Sequence, residues 1–318
     1  MSINNTTFFL RQPALNTSTL YCGTHSFDFY KVTIPILVAM AILSPVAVVG
    51  NGLVLAAIWK NPSLRTPSYI LLAGLALTDF CTGTISEPFL VANELVHSLI
   101  KLSGRNMRPS VYFTMRIIAG SCFEYFFNLT LLIMTLMSIE RWLHMSQRSL
   151  LTVRRLHRII VVLFFSPIPF VVYRLQEIYD FAYLFTNILF VLLCLFVTTV
   201  AYFKVFHIIR RHQQQICVNG SSPNFAQPAI NLAKYKKSVF SILYIVVIFY
   251  TGYLPMAITQ GLGLVFHTNC SVVLLSFYVS TLLVFLSSSL NPLLYLWRMT
   301  DIRQEVRKLV KRIFSKDN

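Results

Sequence analysis

Thr130-Leu131-Leu132-Ile133-Met134-Thr135-Leu136-Met137-Ser138-Ile139-Glu140-Arg141 is a long apolar run closed by an acid and a base. Trp142 follows, then a basic, polar stretch with His144, Arg148, Arg154, Arg155 and Arg158. An apolar helix that ends this abruptly meets water at Glu140-Arg141. At that depth a charge is cheap and still reaches the interior of a helix bundle. Alone, such a pair reads more readily as an arginine snorkelling at a membrane edge. The residues that accompany it elsewhere in the chain overturn that reading.

The 318 residues are 56% hydrophobic and 12% charged, with a mean hydropathy of +0.65. A soluble domain of this length does not need so much apolar surface. Apolar runs fall at 32–59, 68–90, 113–139, 159–173, 181–209, 239–265 and 272–297, seven in all. Most exceed the roughly 18 residues that a spanning helix needs. The run at 159–173 is short and holds Pro167 and Pro169, so it is expected to borrow length from Leu156-His157-Arg158. The runs are too long for barrel strands and lack period-two alternation. The fold class is therefore all-α: a seven-transmembrane helix bundle at 32–297, between a tail at 1–31 and a cytoplasmic segment at 298–318.

The net charge of +16 sits between the apolar runs rather than on one face, which argues against nucleic-acid binding. Lys60 and Arg65, then Arg148 to Arg158, then Lys204 to Lys237, then Arg303 to Arg312 mark one side of the membrane. Fewer cations mark the other: Lys31, Lys101, Arg105, Arg108 and Arg174. The richer side belongs in the cytoplasm, which puts the N-terminus outside. Asn4, Asn5 and Asn16 head glycosylation sequons in the outer tail. The first 25 residues lack the apolar core of a secretory signal, so the first spanning helix is expected to target the chain itself. Residues 213–227 read as a flexible connector around Gly220-Ser221-Ser222-Pro223. After Trp297, Ile302, Val306, Leu309, Val310, Ile313 and Phe314 alternate with Arg303, Arg307, Lys308, Lys311 and Arg312. That pattern is an amphipathic helix suited to anionic membrane lipids.

Four polar features recur inside apolar helices. Gly50-Asn51 lies in the first and Asp79 in the second; Glu140-Arg141 ends the third; Asn291-Pro292-Leu293-Leu294-Tyr295 breaks the seventh. A carboxylate in lipid must face the bundle and find partners. Thr130, Ser287, Ser288 and Asn291 are the candidates for Asp79, and Pro292 frees a backbone carbonyl.

In this order and at these depths, the motifs resemble the rhodopsin-like G-protein-coupled receptors over about residues 32–314. The resemblance implies a plasma-membrane, multi-pass receptor for an extracellular ligand that activates a heterotrimeric G protein. It implies that Arg141 meets the G protein when the sixth helix swings out, with Tyr202 and Tyr295 repacking toward it. Phe249 and Pro255 would form the hinge of the sixth helix. Asp79, Thr130, Ser287, Ser288 and Asn291 would hold a sodium ion with water, the one cofactor the resemblance suggests.

There are departures. Arg116 stands where the family places a third-helix cysteine, and 174–180 holds no cysteine to pair with it. The sixth helix reads Gly252-Tyr253-Leu254-Pro255, and the fifth lacks its proline. These absences look like the melanocortin, lysophospholipid and cannabinoid branch, or an invertebrate orphan receptor. Cys22 and Cys270 both face the oxidising side and are expected to form a disulfide, with two free thiols as the alternative.

The pocket candidates are Glu87, Phe123, Glu124, Phe127, Asn128, Tyr253, Ile258 and Gln260. Glu124 either attracts a cation or pairs with Arg116. An opsin needs a seventh-helix lysine, and 272–297 has none. A transporter is the alternative class, but it predicts internal repeats that are not seen. No metal motif and no paired nucleophile and base point to an enzyme.

Overall fold

Helices follow one another with short connections, and their apolar faces are what the sequence predicts. The computed structural model describes residues 27–104, 108–146, 152–175, 181–219, 226–265 and 271–314, and among these there is no strand. The Cys22–Cys270 pair and Asn4, Asn5 and Asn16 lie outside the described residues, as do the side chains of 234–237.

The first span is α1 (Phe27–Lys60). It begins five residues earlier than the expected boundary at 32, where Phe29 packs on Tyr278 and Tyr30 on His97. The second span joins α2 (Pro67–Cys81) to α3 (Glu87–Leu102) through a π-helical turn at Thr82–Ser86. This span is longer than the apolar run at 68–90. Glu94 and Ser98 interrupt the hydropathy yet are buried inside the bundle. The π turn lies against α1, where Ser44 Oγ donates to the Gly83 carbonyl at 2.8 Å. A Cβ at Gly83 would meet Ala47, Val48 and the Ser44 carbonyl at 3.0–3.1 Å, so glycine permits this approach.

The third span is α4 (Pro109–Met145). The fourth is α5 (Val153–Phe165) and α6 (Ile168–Leu175), kinked where Pro167 cannot continue the ladder. It does borrow length, running from Arg154 to Tyr173. Tyr125 of α4 donates to the Phe164 carbonyl at 2.9 Å, beside that break. The fifth span is α7 (Phe181–Asn219) and the sixth is α8 (Ala226–Val265). Both continue into the stretch expected to be a loop at 213–227; polar side chains end a membrane span without ending a helix. The seventh span is α9 (Ser271–Arg298), followed by α10 (Thr300–Phe314).

Six described helices are long and apolar enough to cross a membrane; the run at 239–265 within α8 completes seven. The helix α10 is amphipathic: Ile302, Val306 and Leu309 are buried with the bundle core, where α10 packs on α1 and α9. Arg307, Lys308, Lys311 and Arg312 remain exposed.

A polar axis through the bundle with a cavity at each end

The central polar network is built around a proline. Pro292 has no N–H for the Ser288 carbonyl four residues back. Asn51 Nδ2 donates to that carbonyl at 3.2 Å, and to its own Ala47 carbonyl at 2.9 Å. Gly50 makes the contact possible, since a Cβ there would lie 2.8 Å from Pro292 Cγ. The next residue, Asn291, donates to Asp79 Oδ2 at 2.7 Å. Asp79 is fully buried, and its Oδ1 has no hydrogen-bond partner among the described residues. Ser288 also interacts with Asp79. Thr130 interacts with Tyr253 of α8 rather than with Asp79. Ser287 is turned to α8, 3.3 Å from where a Gly252 Cβ would stand. Among the described residues no cluster of His, Cys, Asp or Glu has the make-up of a transition-metal site.

Below this network lies a small cavity of about 20 Å³, room for about one water. Arg141, Tyr202, Asn291 and Tyr295 all line it, so the structure joins the residues that the sequence placed on three different helices. The Glu140 carboxylate accepts a hydrogen bond from Ser68 Oγ of α2 at 2.8 Å rather than turning to its neighbour Arg141. One Arg141 guanidinium nitrogen is buried without a hydrogen-bond partner among the described residues. Arg298 lies close enough to feel its charge.

At the opposite end is a cavity of about 170 Å³, with Phe123, Glu124 and Gln260 in its wall. The remaining pocket candidates are placed elsewhere. Glu87, Phe127, Asn128 and Tyr253 are buried in the bundle but do not line it. Ile258 is 56% exposed on the outer face of α8, one helical face away from Gln260. The cavity also has walls that the sequence did not single out, among them Glu94, His97, Tyr112 and Tyr278. Tyr278 donates to Glu94 Oε2 at 2.6 Å, and His97 stacks on Tyr112 with centroids 4.0 Å apart. A carboxylate within a spanning helix was the available signal for Glu94, since such a group must find a donor.

Of the two readings offered for Glu124, the geometry supports a structural one with different partners. Its Oε1 accepts from Asn128 Nδ2 at 3.0 Å and from Asn187 Nδ2 of α7 at 2.5 Å. Asn187 was missed because one asparagine in an apolar helix is a weak signal by itself.

Rings in contact lead inward from the outer cavity. Phe277 meets Phe123 (6.1 Å), Phe123 meets Phe127 (5.6 Å), Phe127 meets Tyr253 (5.0 Å), and Tyr253 meets Phe249 (5.0 Å). Pro255 lies in α8 two residues above Tyr253.

A bundle of membrane-spanning helices with an outer cavity, a buried Asp–Asn axis and an inner arginine site is the plan of a heptahelical receptor. Residues 50–175 match the family described as 7 transmembrane receptor (rhodopsin family). Over that stretch the chain is similar to rhodopsin-like seven-transmembrane receptors. It is 34% identical over 76 residues to the alpha-2A adrenergic receptor of Danio rerio, 23% of this chain and 20% of that protein. It is 41% identical over 56 residues to the lateral eye opsin of Limulus polyphemus, 18% and 15% of the two chains. It is 45% identical over 60 residues to olfactory receptor 1N2 of Homo sapiens, 19% of each. The chain thus spans about a fifth or less of the curated relatives it matches. These matches reach several kinds of receptor and single out no branch.

Proposed function

We propose that the chain is a plasma-membrane receptor that binds an extracellular ligand in the outer cavity and activates a heterotrimeric G protein at the inner one. It is a receptor, not an enzyme or a transporter. The observation that carries this reading is a chain of contacting rings that leads from the outer cavity into the core, toward the inner one. Rings from Phe277 to Phe249 run down α4, α8 and α9, and Arg141, Tyr202 and Tyr295 share the space below. Packed rings transmit displacement because a dense interior has discrete arrangements rather than soft ones. A ligand that favours one arrangement shifts the population by its differential affinity.

Receptor in lipid nanodiscs is expected to accelerate nucleotide exchange on at least one purified G protein. Flux of a solute across sealed vesicles without any exchange would favour a transporter. For orientation, a tag after Ser2 should stain intact cells and a tag after Asn318 should not; the reverse pattern contradicts it.

We propose that Asp79 holds a sodium ion: among the described residues its Oδ1 has no hydrogen-bond partner, and Asn291 and Ser288 lie beside it. A bound sodium ion would supply a compensating charge there. Ser287 and Thr130, turned toward α8, would contribute only indirectly. Replacing potassium with sodium should therefore lower basal exchange in the wild type and leave Asp79→Asn unaffected. Equal responses to the two salts in the wild type would make Asp79 part of a polar network alone.

A further inference from the structure

The inner end of the bundle brings together two arginines. Arg141 lines the inner cavity with Tyr202 and Tyr295. Arg298 follows Tyr295 by three residues on α9, so the two share a face of that helix. It lies close enough to Arg141 and Tyr202 to feel both. Each arginine has one guanidinium nitrogen that is buried with no hydrogen-bond partner among the described residues. Each side chain as a whole is only half-buried, so part of it remains reachable from outside.

The acids of the chain are engaged elsewhere. There are eleven. At the inner end Glu140 accepts from Ser68, Asp301 accepts from Tyr69 and Thr300, and Glu305 pairs with Lys308. Higher in the bundle Asp79 is held by Asn291, one turn before Tyr295. Asp317 lies outside the described residues. The length of α10 puts about 20 Å between Arg298 and Phe314, after which the chain continues to Asp317. The remaining six acids belong to the outer half of the spans or to the connection after α6. Among the described residues, then, no acid neutralises either arginine.

A partly desolvated charge left without a counter-ion is costly, and two held together cost more. An anion from outside the chain relieves both. Guanidinium groups present parallel N–H donors that fit the oxygens of an oxyanion, a match that a spherical halide does not offer. A phosphate monoester carries close to two negative charges at neutral pH, one for each arginine. We infer that Arg141 and Arg298 together bind a phosphate group at the inner end of the bundle. The phosphate belongs to a soluble compound or to a lipid headgroup, since the recognition chemistry is the same. The site holds whether or not the chain couples to a G protein.

Inorganic phosphate is the probe. The full-length protein in a phosphorus-free maltoside detergent is titrated with it, with ionic strength held constant by chloride, and binding is read from broadening of the phosphorus NMR signal. Phosphate should bind against excess chloride, and Arg298→Gln should weaken it about tenfold. Arg65→Gln, which alters an exposed arginine at the same end, should leave binding unchanged. No binding, or an equal loss from Arg65→Gln, overturns the inference. So does unchanged affinity in an Arg298→Gln protein that melts like the wild type. If that variant does not fold, the wild type decides alone: chloride that competes with phosphate mole for mole removes the oxyanion site. Nanodiscs with and without a phosphatidylinositol phosphate then identify the source. Loss of phosphate binding in the inositol-lipid discs alone assigns the headgroup, and equal binding in both assigns a soluble phosphate compound.

Discussion

A receptor carrying Tyr235→Glu is expected to show about a tenfold fall in ligand-independent nucleotide exchange, at matched surface expression. The start of the sixth helix reads Lys234-Tyr235-Lys236-Lys237 and offers no acid to Arg141. The acid next to Arg141 does not serve either, since Glu140 is hydrogen-bonded by Ser68 across to α2. Arg141 keeps a buried nitrogen without a partner among the described residues, and Arg298 adds positive charge nearby. Among the described residues no ion pair ties Arg141 to another helix, and the wild type should signal without ligand. A new acid at 235 would supply the pair. A partly buried pair of about 1.4 kcal/mol corresponds to the tenfold change. A wild type that is silent without ligand, and unchanged by Tyr235→Glu, would mean that other packing closes the helices. If Tyr235→Phe raises the basal rate, the tyrosine hydroxyl already does part of the acid's work.

Asn187→Leu is expected to be the most destabilising of the single polar changes considered, by about 2–3 kcal/mol. Asn187 is fully buried and reaches Glu124, itself only 4% exposed, across the interface of α4 and α7. Leucine fills much the same space but removes a donor from a buried carboxylate. Glu124→Gln removes the charge that Asn187→Leu leaves without its donor, so the double variant should recover part of the lost melting temperature in detergent. If the single and double variants melt together, the Glu124–Asn187 bond contributes nothing beyond shape.

The spans were legible because hydropathy over about 20 residues is a strong signal and loop charge sets orientation. Their ends were less so. Glu94 and Ser98 break the apolar pattern of the second span, yet the helix continues because these groups face inward. The axis of Asn51, Asp79 and Asn291 was readable from chemistry: each is too polar for lipid, and Pro292 supplies a free carbonyl for Asn51. The walls of the outer cavity were much less readable. Phe123, Glu124 and Gln260 were found, but Ile258 faces outward and Phe127 and Tyr253 lie deeper in the ring stack. Side-chain direction around a helix turns by about 100° per residue, so an error of one or two positions changes a wall residue into a lipid-facing one. Glu140 shows a further limit. Adjacent charges in sequence suggested a pair, but i and i+1 on a helix do not face each other, and Ser68 takes the carboxylate.

On the proposed function, α8 moves away from Arg141 to open the inner site to a G protein. Spin labels at His144, on the exposed end of α4, and at Lys237 of the sixth helix measure this directly. Double electron–electron resonance on the nanodisc-embedded receptor should show a short and a long distance population without ligand. Nucleotide-free G protein should shift the weight to the long one. A single distance that is unchanged by G protein would contradict the account.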